Sequence, residues 1–438
     1  MAVVRLPRKT QNTRPAGAQL NLNVRGLGPS ATLAINEHSF ALKQAGREIY
    51  RLGLGQSPFP VPEVVVEALR RHAHEKDYLP VKGLPELREA VAAYHARVNG
   101  VQRDGEDVLI GPGSKELMFI LQLVYYGDLV IPAPSWVSYS PQASIVGRQI
   151  HRIDTRAEDD WRLLPEQLEA LCLEDPTRPR LLILNYPNNP TGVSYPLDQL
   201  KVLAEVAQRY GVIVLSDEIY AELHFRGEHR SIAEFYPEGT IISAGLSKWA
   251  GAGGWRLGTF LFPPELRWLL DAMAVVASET FTTTSAPIQY AAITAYQGGA
   301  EIEDYLQRER RVLNAVGPAA AQSLQRAGCK LPMPEGGFYL FPDFSAHAEK
   351  FRRAGIISSR QMCERLLDDV GVATLPGSDF GRPATEYVAR LAFVDFDGAQ
   401  ALRVANPDTP MNEIFARARC SKVMAACDRI SEWLESFD

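Results

Sequence analysis

The chain has 438 residues, of which 46% are hydrophobic and 22% are charged, and its formal net charge at pH 7 is −6. This length predicts two or three domains with enough apolar surface to form cores. The basic residues are interleaved with acidic ones, so we expect no binding to nucleic acid. No apolar stretch is long enough to span a bilayer or to form a signal-peptide core, so we expect a soluble, cytoplasmic protein that does not bind membrane.

The first part of the chain is predicted to be an arm followed by short elements. Residues 1–32 are rich in Arg, Pro, Gly and Asn and show little periodicity, which predicts an extended arm that orders only against something else, such as a partner subunit. A helical pattern follows and ends at Gly46, and a short strand is predicted at 49–52. The Gly- and Pro-rich residues 53–62 predict a loop. Two helices come next, over residues 62–76 and 84–97, with Tyr78 in the exposed turn between them.

A candidate phosphate site begins where a strand at 108–110 meets a Gly-rich turn. In this turn Gly113 is followed by Ser114 and Lys115, and a helix starts directly afterwards. Free N–H groups at a helix N-terminus favour a dianion, and the two side chains add a hydroxyl and a charge. The turn lacks the Lys-Ser/Thr of a P-loop and the third glycine of a dinucleotide fingerprint, so an ordinary strand–helix turn is an equal alternative.

The middle of the chain alternates strands with helices. Such alternation predicts a largely parallel sheet with helices on both faces, whose ligands bind beyond the carboxyl ends of the strands. The candidate functional side chains follow this rule, because each lies just after a predicted strand, and we therefore expect them to share one site. They are Ser114, Trp136, Asn189, Asp217 with Tyr220, and Lys248.

Asp217 directly follows a predicted buried strand. An ionised carboxylate in apolar surroundings needs a cationic or N–H partner, and a protonated pyridine nitrogen would serve. Tyr220, three residues further on, could reach the same ring from another side. The alternative is that Asp217 caps the next helix, as Asp commonly does.

Lys248 lies in a loop that also contains five glycines, Ser247 and Arg256. Removal from water lowers the pKa of a lysine toward the free amine, which attacks carbonyl carbons and forms Schiff bases. The guanidinium of Arg256 suits a phosphate, so a phosphate ester that carries a carbonyl would satisfy both groups. The alternative is a Gly-rich surface turn with a solvated lysine and arginine.

The cysteines give no sign of a disulfide framework or a zinc site. There are five, an odd number, and none forms a Cys-x-x-Cys pair. We expect buried or inert thiols and no bound metal.

Three motifs occur in order along the chain: Asn-Asn-Pro-Thr-Gly at 188–192, Ser-Asp-Glu-Ile-Tyr at 216–220, and Ser-Lys followed after seven residues by Arg-x-Gly, ending at Gly258. In this order they resemble the motifs of the pyridoxal-phosphate-dependent aminotransferases of the class I/II, aspartate-aminotransferase-like group. The resemblance extends from Gly55 to about Gly398. It implies fold type I, in which a large α/β domain contains a mostly parallel, seven-stranded type of sheet flanked by helices and a smaller domain is α+β. We predict the large domain at 62–317 and the small domain at 33–61 and 318–438.

The resemblance implies a role for each matching residue. Lys248 would hold pyridoxal 5′-phosphate as a Schiff base and later move the proton at the substrate α-carbon, while Asp217 would keep the ring nitrogen protonated. Tyr220 and Asn189 would bind the ring's 3′-oxygen, and Trp136 would stack on the ring. The phosphate would be held by Gly113, Ser114, Lys115, Ser247 and Arg256, with Tyr78 contributed by the other subunit of a homodimer with shared active sites.

The resemblance also implies the substrates, which are an L-amino acid and a 2-oxo acid. Arg390 would bind the substrate α-carboxylate, and Gly55, Trp136 and Asn189 would line the same pocket. Ping-pong transfer of the amino group through the pyridoxal and pyridoxamine forms is the implied reaction. Another pyridoxal-phosphate reaction on the same fold, such as β-elimination or aminocyclopropane-carboxylate synthesis, is the alternative. A DNA-binding regulator is a weaker one, since the arm has no room for a helix-turn-helix.

Two positions depart from the family pattern. Gly245 stands where many relatives have a phosphate-binding hydroxyl, which would loosen one phosphate contact. Asp395 and Asp397 follow Arg390 and could bias the pocket against dicarboxylic substrates or toward cationic ones. We favour the alternative that both carboxylates are solvated.

Overall fold

The structure is a computed structural model that describes residues 20–28 and 31–437. The predicted arm at 1–32 therefore lies largely outside the described residues. In the described part of the predicted arm, a 3-10 turn spans Leu22–Val24, and the Asn23 side chain donates to the Ile145 carbonyl at 3.1 Å.

Strands and helices alternate through most of the described chain. The strands are β1 Tyr50–Arg51, β2 Val108–Gly111, β3 Asp128–Ala133, β4 Ile150–Asp154, β5 Arg180–Asn185, β6 Ile213–Asp217, β7 Thr240–Gly245, β8 Gly258–Leu261, β9 Tyr339–Leu340, β10 Val372–Ala373, β11 Leu375–Pro376 and β12 Ala389–Ala392. The helices are α1 Ala31–Gln44, α2 Glu63–His72, α3 Pro85–Asn99, α4 Ser114–Val124, α5 Tyr139–Val146, α6 Pro165–Glu174, α7 Leu197–Arg209, α8 Arg267–Ser278, α9 Ala286–Gln297, α10 Ala300–Arg326, α11 Ala348–Arg353, α12 Ser359–Val370, α13 Gly398–Val404, α14 Glu413–Arg419 and α15 Ser421–Glu435.

The largest sheet has seven strands in the order β2-β8-β7-β6-β5-β3-β4. Its strands pair in parallel except for β8, which is antiparallel to both β2 and β7. Successive residues of a strand point to opposite faces, and in β6 Ile213 and Leu215 enter one apolar cluster while Val214 enters another. Burial of both faces explains why these strands are near-continuous apolar runs. The predicted α/β fold with a mostly parallel sheet is confirmed.

Smaller sheets lie outside this one. Strands β11, β12 and β9 form an antiparallel sheet, and β1 pairs in parallel with β10. The long helix α10 packs against β9 and against α13, α14 and α15. Pro318 lies inside α10, so the predicted boundary between residues 317 and 318 falls within a continuous helix. The division into domains stays a prediction.

Two further features of the described residues bear on function. All five cysteines are free and buried, and burial raises the pKa of the Cys427 thiol to about 12, which keeps it in the unreactive protonated form. No helix in the described part of the chain is long and apolar enough to cross a membrane.

Candidate active site

A cavity of about 650 Å³ lies beyond the carboxyl ends of β5, β6 and β7, where ligands of such sheets bind. Every residue predicted for the site lines this cavity except Gly113 and Tyr78. Gly113 lies directly behind it at the start of α4, whereas Tyr78 is 88% exposed and lies outside the cavity. The predicted residues that line it are Gly55, Ser114, Lys115, Trp136, Asn189, Asp217, Tyr220, Ser247, Lys248, Arg256 and Arg390.

Asp217 ends β6 and is buried at the floor of the cavity. Its carboxylate accepts hydrogen bonds from Tyr139 Oη at 2.5 Å and from Ser243 Oγ at 3.4 Å. Burial nevertheless raises the pKa of Asp217 to about 6, because these neutral donors do not fully replace water. The carboxylate also accepts from the Ile219 backbone N–H, but Asp217 is not the N-cap of the next helical turn, because that position is Tyr220. The carboxylate is thus placed to accept a proton-bearing, cationic nitrogen.

Lys248 follows β7 and projects into the same cavity. Its Nζ donates to the Gly55 carbonyl at 2.8 Å and lies 5.5 Å from the centre of the Tyr220 ring. Burial, and secondarily the charge of Arg390, lower the pKa of Lys248 to about 7. A large fraction of the amine is therefore neutral and nucleophilic at neutral pH. Lys248 is partly buried and is therefore not the solvated lysine of the alternative, whereas Arg256 is exposed.

The corner formed by α4 and the Lys248 loop fits a phosphate. A Cβ on Gly113 would lie 2.1 Å from Arg256 Nη2, and one on Gly258 would lie 2.1 Å from the Ser114 nitrogen. Only glycine at both positions lets the guanidinium and the first turn of α4 converge. Lys115 adds a further positive charge, and its pKa is lowered by burial and by Arg256. A dianion would relieve this crowding of like charges.

Gly245 is a structural requirement of this corner. A Cβ at this position would lie 2.8 Å from the Leu257 carbonyl oxygen and 3.2 Å from Gly258 Cα, which are both backbone atoms. The hydroxyl expected from the family pattern therefore has no space here, because β8 lies too close.

Arg390 lies on β12 at the opposite end of the cavity and is buried. It donates to Asn189 Oδ1 at 3.1 Å and to the Gly53 carbonyl at 2.5 Å, and its guanidinium lies 4.7 Å from the centre of the Tyr339 ring. Its Nε has no partner in the described structure, and both acceptors are neutral. A buried cation with only neutral acceptors is suited to a ligand carboxylate.

Sequence reasoning missed several residues of the site. Tyr139 lies on α5, a helix that the sequence pattern did not reveal, and Asn185 ends β5 and donates to the Asp217 carbonyl at 2.8 Å. Tyr339 Oη is 2.7 Å from Tyr220 Oη. Gly55 permits this arrangement, since a Cβ there would lie 2.0 Å from Tyr339 Oη. Tyr339 ends the run Pro-Glu-Gly-Gly-Phe-Tyr at 334–339, which also resembles the family pattern and is a signal that could have found this residue.

The two acidic residues after Arg390 do not line the cavity. Asp395 is buried and accepts from the Arg51 backbone N–H at 2.9 Å, with Arg51 Nη2 at 3.3 Å from its other oxygen. The expectation that it is solvated is therefore wrong. Asp397 is exposed and caps α13 through the Gln400 N–H. The alternative that these residues bias the pocket has no support in the geometry.

The fold and this cavity define a class of enzyme, the fold type I enzymes that hold pyridoxal phosphate on a lysine beyond a mostly parallel sheet. Comparison with known proteins gives the family. Residues 47–396 match the family model described as "Aminotransferase class I and II". The aspartate aminotransferase of Geobacillus stearothermophilus is 35% identical over 375 residues, which cover 83% of this chain and 92% of that protein. The aspartate/prephenate aminotransferase of Thermus thermophilus is 32% identical over 366 residues, covering 82% and 91%.

A solved structure agrees with these relatives. The structure titled aspartate aminotransferase from Thermus thermophilus with maleate superimposes with a TM-score of 0.81 at 29% identity, covering 94% of this chain and 99% of that one. The chain therefore belongs to the class I and II aminotransferases, and the predicted family, enzyme class, amino-group transfer and pyridoxal 5′-phosphate cofactor are confirmed. The lyase or synthase alternative is not favoured. The cavity fits this cofactor, because it offers an amine, a buried carboxylate and a cationic phosphate corner.

Proposed function

We propose that this aminotransferase prefers a dicarboxylic L-amino acid, with aspartate as the leading candidate, and passes its amino group to a 2-oxo acid. The observation that carries the proposal is the similarity to proteins named aspartate aminotransferase over 83% of the chain, and this similarity agrees with the charge of the cavity. Four basic side chains line it, Lys115, Lys248, Arg256 and Arg390, against a single acidic one, Asp217. The phosphate dianion, the substrate α-carboxylate and Asp217 balance these four positive charges, so the cavity suits anionic ligands without itself requiring a second carboxylate. The names of the relatives support the same substrate class.

Each cavity residue is proposed to have one task. Bound pyridoxal phosphate supplies an aldehyde that exchanges with the amino group and a ring that withdraws electrons from the substrate α-carbon. Lys248, whose pKa of about 7 suits both proton uptake and release, moves the proton at that carbon. Asp217 holds a proton on the ring nitrogen, and Arg390 binds and orients the α-carboxylate. Asn189 orients Arg390 through their 3.1 Å hydrogen bond.

The remaining cavity residues are proposed to bind and position the cofactor. Tyr220 and Asn189 donate to the ring's 3′-oxygen, and Trp136 covers the ring face. Gly113, Ser114, Lys115, Ser247 and Arg256 bind the phosphate. Closure of the cavity by these groups excludes water from the reacting carbon.

We also propose a homodimer in which Tyr78 enters the cavity of the partner subunit. Tyr78 is 88% exposed, yet its turn is firmly placed, because the Lys82 carbonyl accepts from the Ile110 N–H at 3.0 Å. A Cβ on Gly83 would lie 2.3 Å from the Ile110 side chain, so this turn packs closely on β2. An exposed aromatic residue on a fixed turn is suited to contact a second subunit. A cytoplasmic location likewise remains a prediction.

The substrate proposal is tested with the purified holoenzyme and single amino acids, without an acceptor. Aspartate should convert the bound cofactor completely to its amine form, and the absorbance of the cofactor measures this conversion. Alanine, which lacks only the side-chain carboxylate, should do so with a second-order rate constant lower by about tenfold or more. Equal values for aspartate and alanine would contradict the dicarboxylic preference, and release of ammonia without conversion of the cofactor would contradict amino-group transfer.

The shared site is tested by complementation between two weakly active variants, Tyr78→Ala and Lys248→Ala. A mixed dimer would contain one cavity with a normal Lys248 and a normal Tyr78 from the other subunit, so activity should reappear on mixing. If Tyr78 served its own subunit, neither cavity of the mixed dimer would be complete, and mixing would restore nothing.

A further inference from the structure

Residues 53–60, here called the wall loop, form one side of the cavity. Leu54, Gly55 and Gln56 line it. Two carbonyls of the loop hold the functional cations, because Gly53 accepts from Arg390 and Gly55 accepts from Lys248. A small displacement of this loop would therefore move both ends of the substrate site together.

The far side of the wall loop rests on the residues 398–409, here called the brace, which consist of α13 and the five residues after it. A Cβ on Gly398 would lie 2.2 Å from the Pro58 carbonyl oxygen and 2.8 Å from the Phe59 nitrogen. Backbone thus meets backbone, and neither can yield by turning a side chain. Phe59 also packs edge to face on Phe396, with the ring centres 5.8 Å apart.

The near side of the wall loop rests on the turn that carries Lys248. A Cβ on Gly251 would lie 2.4 Å from the Phe59 carbonyl oxygen. The loop is therefore clamped between the lysine turn and the brace, and a shift of either one is transmitted to it.

Helix α10 fixes the brace. Arg311 Nη2 donates to the backbone carbonyls of Asn406 at 2.9 Å, Pro407 at 3.1 Å and Thr409 at 2.9 Å. Arg308 reaches the Asn406 side chain at 3.2 Å. The same helix also holds the wall loop, because Tyr305 Oη donates to the Pro60 carbonyl at 3.1 Å. These bonds are charge-assisted or buried, which makes α10 a common support for both segments.

We propose that the brace is a positioning element for the amino-transfer reaction, and that Gly398 and Arg311 set the place of the wall loop and thereby the affinity for the amino donor. The brace begins two residues after the match to the family model ends at residue 396. Neither residue lines the cavity, and both act through the loop.

The test compares Gly398→Ala with Gln400→Ala in the holoenzyme. Gly398 is the first residue of α13, where alanine favours the helix, so Gly398→Ala should not lower Tm by weakening the helix itself. The added methyl should instead displace the wall loop, raise KM for aspartate by about tenfold to a hundredfold, and leave kcat within about threefold. Gln400 is exposed on the same helix, and its replacement should change neither constant.

A second pair of variants and a direct measurement of the loop complete the test. Arg311→Met should raise KM as Gly398→Ala does, whereas Arg308→Met, which loses one bond to the brace, should have a smaller effect. Hydrogen exchange of the peptide that contains residues 53–60 should become faster in Gly398→Ala and remain normal in Gln400→Ala. An unchanged KM, or a loss of kcat and Tm with exchange at the wall loop unchanged, would overturn the proposal.

Discussion

The two ends of the cavity are built in different ways. At one end, Asp217 and Lys248 follow neighbouring parallel strands of one sheet, and their places are fixed by strand pairing. At the other end, Arg390 comes from a separate small sheet and is oriented by Asn189 and by the Gly53 carbonyl. The first end is proposed to perform the chemistry and the second to bind the substrate. Replacements at the sheet end should therefore mainly lower kcat, and replacements at the Arg390 end should mainly raise KM.

The largest effect is expected at Lys248. Lys248→Arg preserves charge and bulk, but a guanidinium neither forms a stable Schiff base nor gives up its proton near neutral pH. Activity should fall by about 10⁴-fold or more, as severely as in Lys248→Ala, while the phosphate corner and Asp217 still bind the cofactor. Turnover measures the loss of activity, and cofactor content measures whether the cofactor is still bound.

Lys115→Arg is the matched control. Lys115 is proposed to contribute only its positive charge, which arginine keeps, so this variant should retain most activity. Substantial activity of Lys248→Arg would break the assignment. Borohydride reduction of the wild type should attach the cofactor to Lys248, and attachment to Lys115 would contradict the proposed site.

The next largest effect is expected at Asp217. Asp217→Asn removes the charge that keeps the ring nitrogen protonated, and kcat should fall by about 10³-fold, equivalent to about 4 kcal/mol. The cofactor should remain bound, which is checked by its stoichiometry after gel filtration. Ser243→Ala, which loses only the 3.4 Å contact to the same carboxylate, should remain far more active. Near-normal turnover of Asp217→Asn would exclude the proposed electrostatic role.

Arg390→Gln tests the substrate end. Loss of the charged partner should weaken binding of the donor by about 2–5 kcal/mol, seen as a higher KM, with cofactor content unchanged. Arg360→Gln removes an exposed arginine outside the cavity and should leave KM unaltered. A variant at Arg390 that lost kcat at constant KM would reverse the proposed division between the two ends.

Tyr139→Phe should have a moderate effect. It removes the 2.5 Å hydrogen bond to Asp217, and because this bond lowers the pKa of the carboxyl, the pKa should rise further above 6. We expect kcat to fall by about tenfold, corresponding to about 1.4 kcal/mol. Tyr125→Phe, at a buried tyrosine outside the cavity, is the control. Equal activity of the two variants would show that Tyr139 has no influence on Asp217.

The smallest expected effect is a shift in pH dependence that links the two ends. The Lys248 amine reacts with the cofactor aldehyde only when neutral, so the rate at which the cofactor-free protein takes up pyridoxal phosphate should rise with pH and level off above about 7. Arg390 lowers the pKa of Lys248, so Arg390→Gln should move the midpoint upward. Asp217 raises it, so Asp217→Asn should move the midpoint downward. Stopped-flow absorbance measures the midpoint of this pH dependence. A midpoint near pH 10 in the wild type would contradict the lowered pKa of Lys248.

The same contrast explains what the sequence could predict. Strands β6 and β7 are short runs of apolar residues, and the rule that ligands bind beyond parallel strands was enough to place Asp217 and Lys248 together. Strand β8 was missed because it is antiparallel and starts at a glycine that was assigned to the loop. Helix α5 was missed because its eight residues include a proline and show little amphipathic pattern, and Tyr139 was lost with it.

The substrate end could not be predicted from local pattern. Arg390 is 201 residues from Asn189 and 337 from Gly53 in sequence. The periodicity and turn residues of a single segment cannot predict a contact between residues so far apart in sequence. Arg390 was assigned to the substrate site only through the resemblance to a family. The burial of Asp395 was mispredicted for the same reason, since its partner Arg51 is 344 residues away.

The antiparallel position of β8 also bears on synthesis of the chain. Among the described residues, β2 pairs only with β8, whose residues leave the ribosome about 150 positions later, whereas β3 to β7 pair with strands that follow at shorter intervals. The parallel part of the sheet can therefore assemble first, while the edge at β2 waits for its partner. Because α4 follows β2 directly and Arg256 precedes β8 directly, the phosphate corner is completed by the same late pairing. A nascent chain halted between residues 249 and 257 would thus contain Asp217 and Lys248 but no finished corner to retain the cofactor.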